Sequence, residues 1–483
     1  MDLTQITSSV LASGPEIIII LGACVALMLS LVPRPGQGAL LAGLSLVMIG
    51  LAAAMSLTLA QNPQSAYGGM FVNDGFSTFF KMLLYLGTAL TILISDRYLG
   101  TEDAAKGEYY VLLLFALSGA MIMVSGTDLL IIYVGLELQA LSIYVLVGFL
   151  TTNTRSNEAA LKYVILGAFS SGLFLFGLSL FYGLTGTTQL DVMGEALDKV
   201  DTSSPLLALS TLFLIVGLLF KVGAVPFHMW VPDIYEGAPS PVTGFMSTVG
   251  KVAAVAVILR LLVQDLAMLD PIWRSSVEVM AVLSLAVGSF AALVQTNIKR
   301  MLAYSSIAHG GFLLLGLLAG GSEGLASVML YLLIFTVTNL GLFAVIVLIN
   351  RGAGQGEKIQ DFSGLAKSHP GVALMALVFL LSLAGIPPTG GFFAKFYVLV
   401  ALVDAGFVLL AVLAVLFSAI AAWFYLRVIM LMYMEKNDQP AVFQVSPAIG
   451  WALIVTFIGT VLTGVLPAWF LGVSKAAATA GLG

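Results

Sequence analysis

The chain has one cysteine, Cys24, and three histidines, His228, His309 and His369, among its 483 residues. One thiol closes no intramolecular disulfide, and alone it builds no iron–sulfur or zinc site. No two histidines share a helix-face spacing suited to a haem or a metal. No prosthetic group, metal or cofactor site is therefore expected in this chain. Charge is equally scarce: 9% of residues are Asp, Glu, Lys or Arg, against about 25% in soluble domains. That leaves too little polar surface to keep a folded chain in water. No basic residue precedes Arg34, which follows the first apolar run. A cleaved secretory leader begins with a basic region, so none is expected. Gly250-Lys251 looks like the end of a phosphate-binding loop, but Phe245 stands five places before Gly250 and Val252 replaces the required Ser or Thr. No nucleotide site is expected, so the chain cannot energise uphill transport by itself. The formal charge of −5 is too small for this length to point to a class of partner.

What is present is apolar: 60% of the residues are hydrophobic. Runs of about 20, enough to cross a ~30 Å hydrocarbon core, recur from end to end. The fold class is all-α, a polytopic membrane protein. Windows bounded by Pro, Gly and charge give fourteen spans. They begin near Glu16, Ala39, Gly75, Tyr109, Asp128, Glu158, Pro205, Pro239, Ser276, Leu302, Leu325, Gly371, Asp404 and Pro447. With the N-terminus outside, the inner connections hold Arg34, Arg97, Lys106, Arg155, Lys299, Arg300, Arg351, Lys358, Lys367 and Lys436. The outer side holds only Lys199, Arg274 and Lys475. Ten basic residues against three is a positive-inside bias, and it places both termini outside. Arg260 and Arg427, near span ends, are expected to snorkel to the headgroups.

Two spans carry breaks: the seventh at Pro226 and Pro232, and the twelfth at Gly385-Ile-Pro387-Pro388-Thr-Gly390-Gly391. Proline removes a helical hydrogen bond and clashes with the preceding turn. Broken helices in corresponding halves point to an inverted repeat with a central site. The expected organisation is three N-terminal spans in 1–108, a five-span unit in 109–265, an inverted unit in 276–434 and a last span in 447–483.

Four charges stand inside spans: Glu137, Lys221, Lys251 and Lys395. A charge at the bilayer centre costs roughly 2.5–3.5 kcal/mol on insertion scales, so it normally faces the protein interior and serves a function. Glu137 and Lys221 stand at depths that suit a pair, which could also be a fixed ion pair joining two helices. Lys251 and Lys395 lack an acidic partner in their own spans. A buried amine titrates well below its usual range and can accept and release a proton; the alternative is a lysine held on a carbonyl. His309 falls mid-span with Tyr304, Ser305 and Ser306 on the turns before it, and its ordinary pKa suits a relay. Thr336, Thr338 and Asn339 form a second polar cluster whose simpler role is helix–helix hydrogen bonding. Lys162 can anchor at the interface or join a relay, and His228 stands at the first break.

FKVGAVPFHMWVPDIYEGAPSPVTGFMSTVGKVA, IKRMLAYSSIAHGGFLLLG and LSLAGIPPTGGFFAKFYVL together resemble the antiporter-like membrane subunits of respiratory complex I and of multisubunit cation/proton antiporters. The last motif keeps a lysine, Lys395, as the N-type subunits of bacterial NADH:quinone oxidoreductase do. The resemblance implies two inverted five-helix bundles around a hydrated polar axis. It implies that Glu137 and Lys221 form a coupling pair, Lys251 a central relay and Lys395 the outlet-side lysine. Lys162, His228 and His309 become auxiliary relay positions. It further implies an oxidoreductase subunit without its own redox centre, set in a bacterial inner membrane. NADH, FMN, iron–sulfur clusters and quinone would belong to partner subunits, beside an M-type neighbour and small membrane subunits; no nucleic acid is involved. The competing expectations are a Na⁺/H⁺ antiporter subunit and a structural spacer.

Overall fold

The structure, a computed structural model, describes residues 3–481 apart from 33–35, 103, 105–106, 202, 351, 353–354 and 436–442. Four of the basic residues used to orient the chain, Arg34, Lys106, Arg351 and Lys436, lie outside the described residues. Among the described residues twelve helices are long and apolar enough to cross a membrane. They are thirteen if the bent pair Ile6–Ala12 and Gly14–Ser30 is one span. The sequence reading counts fourteen. The remaining expected span is divided into Pro370–Ala384 and Gly390–Asp404, each 15 residues long and too short alone.

Both breaks are built alike. Pro205–Val222 ends at Gly223 and Pro370–Ala384 ends at Gly385, each glycine left-handed with φ 76° and 82°. A side chain is strained in that conformation, which is why glycine closes both helices. Backbone groups released inside a bilayer need partners within the protein, and the partners are present. Trp230 Nε1 donates to the Phe220 carbonyl at 2.8 Å, and Ser284 Oγ accepts from the Val225 N–H at 2.9 Å. At the second break Ser382 Oγ accepts from the Gly391 N–H at 3.0 Å, and Lys395 Nζ donates to the Ala384 carbonyl at 2.9 Å.

Connections fall into two sets that touch within a set. On one side Arg97 donates to the Gln444 carbonyl, Lys299 pairs with Glu357 at 2.6 Å, and Arg300 pairs with Asp233 and Glu236 at 2.8 and 3.0 Å. On the other, Phe71 bridges to Gly126, Asp128 to Gln189, and Lys475 pairs with Glu323 at 2.6 Å. Two sets follow from spans that alternate in direction.

Several details depart from the sequence reading. A short hairpin, Gln64–Ala66 with Phe71–Asn73, precedes the third expected span. The last expected span divides into Pro447–Val465 and Pro467–Gly481, because Pro467 cannot continue the ladder. The span Ser240–Asp265 contains two wide π turns, Met246–Gly250 and Arg260–Asp265, on either side of Lys251–Leu259. Arg260 does not snorkel: it is 4% exposed and holds Asp74 at 3.2 Å. Arg427 donates to the carbonyls of Leu293 and Gln295, both at 3.2 Å, closing the C-terminal end of Asp270–Leu293. In each case a nearby oxygen competes better than a distant headgroup.

Leu129–Val147, which carries Glu137, is fixed at both levels. Asp128 caps it by accepting from the N–H groups of Leu130 and Ile131, and Thr188 holds the second Asp128 oxygen at 2.6 Å. Its packing against Glu108–Ser125 runs through glycines: a Cβ on Gly119 would lie 2.6 Å from the Gly135 carbonyl oxygen. We expect Gly119→Val to push these helices apart at a cost of about 1–3 kcal/mol, the usual range for overpacking. A thermal-inactivation midpoint unchanged from the parent in detergent-solubilised membranes would contradict this.

Candidate functional site

Lys251, His309 and Lys395 meet in one connected polar interior. Ser240–Asp265 supplies Lys251, which is 2% exposed and donates to the Ser306 carbonyl and hydroxyl at 2.6 and 2.7 Å. Its amine also lies 5.6 Å from the centre of the Phe335 ring. Ile298–Ala319 supplies His309 one turn beyond Ser306, 6% exposed. Its Nδ1 is 2.5 Å from Tyr331 Oη and its Nε2 3.2 Å from Tyr425 Oη, while Tyr425 also bonds Ser305. The imidazole packs on the same Phe335 ring, centroids 4.9 Å apart.

Gly390–Asp404 supplies Lys395, 7% exposed, which donates to Ser418 Oγ at 2.8 Å as well as to Ala384. Its amine lies 5.3 Å from the Phe312 ring, which stacks on Tyr331. A cavity of about 10 Å³ lies among His309, Lys395, Tyr425 and Ser418; a second of similar size joins His309 to Tyr331, Thr338 and Ser382. Each is on the scale of one water molecule, about 10–15 Å³. Beside Lys395 a larger cleft of about 280 Å³ opens between Phe312, Phe392, Phe396 and Val415.

Among the described residues neither lysine has a carboxylate partner; both rest on a carbonyl, a serine hydroxyl and an aromatic face. An ammonium donates three hydrogen bonds, and oxygens with a ring quadrupole offset part of its burial cost. The charges on both lysines act on His309.

The Glu137–Lys221 half is looser. The two are close enough to interact electrostatically, yet no ion pair or hydrogen bond joins them. The fixed ion pair, the alternative reading for these two residues, is not formed. Lys221 instead has its amine 5.8 Å from the Tyr144 ring centre. Oε1 of Glu137, Nε2 of Gln139 and Oη of Tyr144 are buried without a hydrogen-bond partner. A cavity of about 10 Å³ joins Lys221 to Gln139, Tyr163, Trp230 and Gly250, the residue before Lys251.

Lys162 and His228 stand apart from this interior. Lys162 has 42% of its side chain exposed and pairs with Glu158 at 2.8 Å and Asp233 at 3.0 Å. With Arg155, Glu236 and Arg300 it lines an open cavity of about 240 Å³. His228, half-buried in the first break, has its Nδ1 unpartnered. Sequence reasoning named Tyr304 near His309, but the histidine takes Tyr331 and Tyr425 instead. Those tyrosines, with Ser418 and Gln139, carried no signal because their partners lie on other helices. Asn339 does reach a neighbour, donating to Ser247 Oγ at 2.7 Å.

Removing the Tyr425 hydroxyl tests the centre. Tyr425→Phe deletes the hydroxyl that bonds both Ser305 and His309, and losing its bond to the histidine is worth about 1 kcal/mol or roughly fivefold in a rate that passes through the histidine. Proton uptake measured in membrane vesicles should fall by that order while the protein level holds; an unchanged rate would show that no proton path runs through the Tyr425 hydroxyl.

A family model described as NADH:quinone oxidoreductase/Mrp antiporter, TM, matches residues 126–421. The chain is 54% identical over 471 residues to NADH-quinone oxidoreductase subunit N 2 of Rhizobium meliloti (strain 1021), covering 98% of each. It is 44% identical over 417 residues to NADH-quinone oxidoreductase subunit N of Rhodospirillum rubrum, covering 86% of this chain and 84% of that one. Among solved structures, a chain of respiratory complex I from Thermus thermophilus superposes with TM-score 0.81 at 32% identity, covering 95% of this chain and 98% of that chain. A chain of the Mrp complex from Dietzia sp. DQ12-45-1b superposes with TM-score 0.86 at 21% identity, covering 99% and 100%. The latter likeness is one of fold.

Proposed function

Because the chain belongs to the NADH:quinone oxidoreductase/Mrp antiporter membrane-subunit family, in its subunit N branch, we propose that its buried charges form the path by which it moves protons. It is a proton-translocating membrane-arm subunit of NADH-quinone oxidoreductase. In our reading Glu137 and Lys221 are the coupling pair, Lys251 and His309 the central relay, and Lys395 the outlet-side lysine. Lys162 and His228 serve as auxiliary relay positions. Residues 109–265 and 276–434 act as the two inverted halves, between the spans of 1–108 and 447–483, with both termini on the periplasmic side of a bacterial inner membrane. An M-type subunit and small membrane subunits are its neighbours. NADH, FMN, iron–sulfur clusters and quinone are handled by partner subunits.

The observation that carries this reading is that Lys251 bonds Ser306 one turn before His309, His309 bonds both tyrosines, and a water-sized cavity lies between His309, Tyr425 and Lys395. It contains hydroxyl and imidazole groups that both donate and accept, which a proton relay requires. Quinone reduction elsewhere in the complex alters the charge near Glu137. Lys221, free of a fixed partner, responds by changing its own protonation, and a proton passes on toward Lys251. Moving one charge against 100 mV takes about 2.3 kcal/mol, matched by electrostatic shifts of one or two pKa units.

Lys251→Ala should abolish pumping through this subunit, and so should Lys251→Arg, whose guanidinium does not deprotonate. Full pumping by the arginine variant, read with a pH-sensitive dye in inverted vesicles, would refute titration at Lys251. The alternative, a Na⁺/H⁺ antiporter subunit, draws on the fold shared with the Mrp chain. Copurification of the native chain with NADH oxidation favours the first reading; sodium-driven proton exchange without it favours the second.

A further inference from the structure

Lys251 and Lys395 each rest on a carbonyl and a serine hydroxyl. Among the described residues no carbonyl, hydroxyl or carboxylate is bonded to Lys221. Its amine has the Tyr144 ring, 5.8 Å from the centre. An ammonium donates three hydrogen bonds, and an aromatic face offsets only part of its burial.

Beside this amine lies the small cavity, about 10 Å³, shared by Lys221, Gln139, Tyr163, Trp230, Met246 and Gly250. One wall is fixed: the Trp230 ring stacks on Tyr163 with centroids 4.8 Å apart, and its N–H already donates to the Phe220 carbonyl at 2.8 Å. Another wall is the wide turn Met246–Gly250. A Cβ on Gly250 would meet nothing within 4 Å, so the turn leaves space there. Three lining residues, Lys221, Gln139 and Tyr163, carry polar groups. A buried water needs about 10–15 Å³ and two to four polar partners, so the cavity suits one water molecule.

Gln139 is the residue that points to such an occupant. It is 4% exposed, and its Nε2 is buried without a hydrogen-bond partner. A buried amide left unmet is destabilising. Glu137 does not line this cavity. Two positions apart on Leu129–Val147, Glu137 and Gln139 project about 200° apart around the helix. Glu137 acts on Lys221 through its charge, while contact falls to the amide. An amide both donates and accepts, whereas a carboxylate would favour only the charged lysine.

We propose that Gln139 is a positioning residue for proton transfer: it holds one water against Lys221, and that water is the lysine's partner in both protonation states. This rests on the proton-translocating reading above. When Lys221 is charged, the water accepts from the ammonium and donates to the Gln139 carbonyl. When Lys221 is neutral, the water accepts from the Gln139 N–H and donates to the amine. Only hydrogen bonds change between the two arrangements.

The test is proton uptake per NADH oxidised in inverted vesicles, at equal content of assembled complex. Gln139→Met keeps the side chain's length and bulk but drops the amide. It should lower uptake about fivefold, the effect of one lost hydrogen bond. Gln139→Leu, a second apolar replacement, is read in the same way. Gln139→Ser leaves a polar space for a further water and should stay within about twofold of the parent, because a bridging water is nearly as good as a direct contact. A packing role predicts the opposite order, since volume-conserving changes are tolerated and cavities are not. Parental uptake in the apolar variants, or a serine variant no better than they are, overturns the water site if Lys221→Ala is impaired. Parental uptake in Lys221→Ala overturns the proton-translocating role of Lys221 and this inference with it.

Discussion

An ammonium group inside an apolar bundle must find oxygen, and this structure supplies it largely from backbone. Lys395 rests on the Ala384 carbonyl, freed because its helix stops at Gly385. Lys251 rests on the carbonyl and hydroxyl of Ser306. The remainder of the interior is arranged around these two demands. The wide turns on either side of Lys251 re-aim its helix, and aromatic rings close the sides left open by oxygen. A neutral oxygen shell stabilises a cation without fixing it as a carboxylate would, so the cost of gaining or losing the proton stays moderate.

The two halves use this principle to different degrees. In the second, Lys395 has two oxygen acceptors and an aromatic face. In the first, Lys221 and Gln139 share a small cavity, and polar atoms of Glu137, Gln139 and Tyr144 are buried without a partner. A well-satisfied site is stiff, while an under-satisfied one responds to a change in nearby charge. That asymmetry fits input at one end and onward delivery at the other.

Much of this was legible in the sequence because the bilayer imposes strict rules. Lys251, Lys395 and His309 stand out against apolar spans, and Pro226, Pro387 and Pro388 announce the breaks. What stayed hidden is non-local. Tyr331 and Tyr425 are ordinary tyrosines until helix packing brings both to one imidazole. Lys81 and Glu16, a buried ion pair at 2.7 Å, stand 65 positions apart, so no local pattern marks them as partners. Arg260 was misjudged for the same reason: its partner Asp74 lies on a different span. The resemblance to antiporter-like subunits anticipated the lysines because their motifs are local, but it offered no guide to such cross-span pairs.

Gly385 carries one more implication. A Cβ at that position would fall 3.1 Å from the Lys395 amine and 2.8 Å from its Cδ. The charge therefore occupies space vacated by a missing side chain. On the lipid-facing flanks of these helices one alkyl group serves as well as another, whereas at Gly385 even a single methyl would compete with the amine for its berth. The second break is thus a receptacle defined by omission, and its specificity resides in an atom the chain does not have.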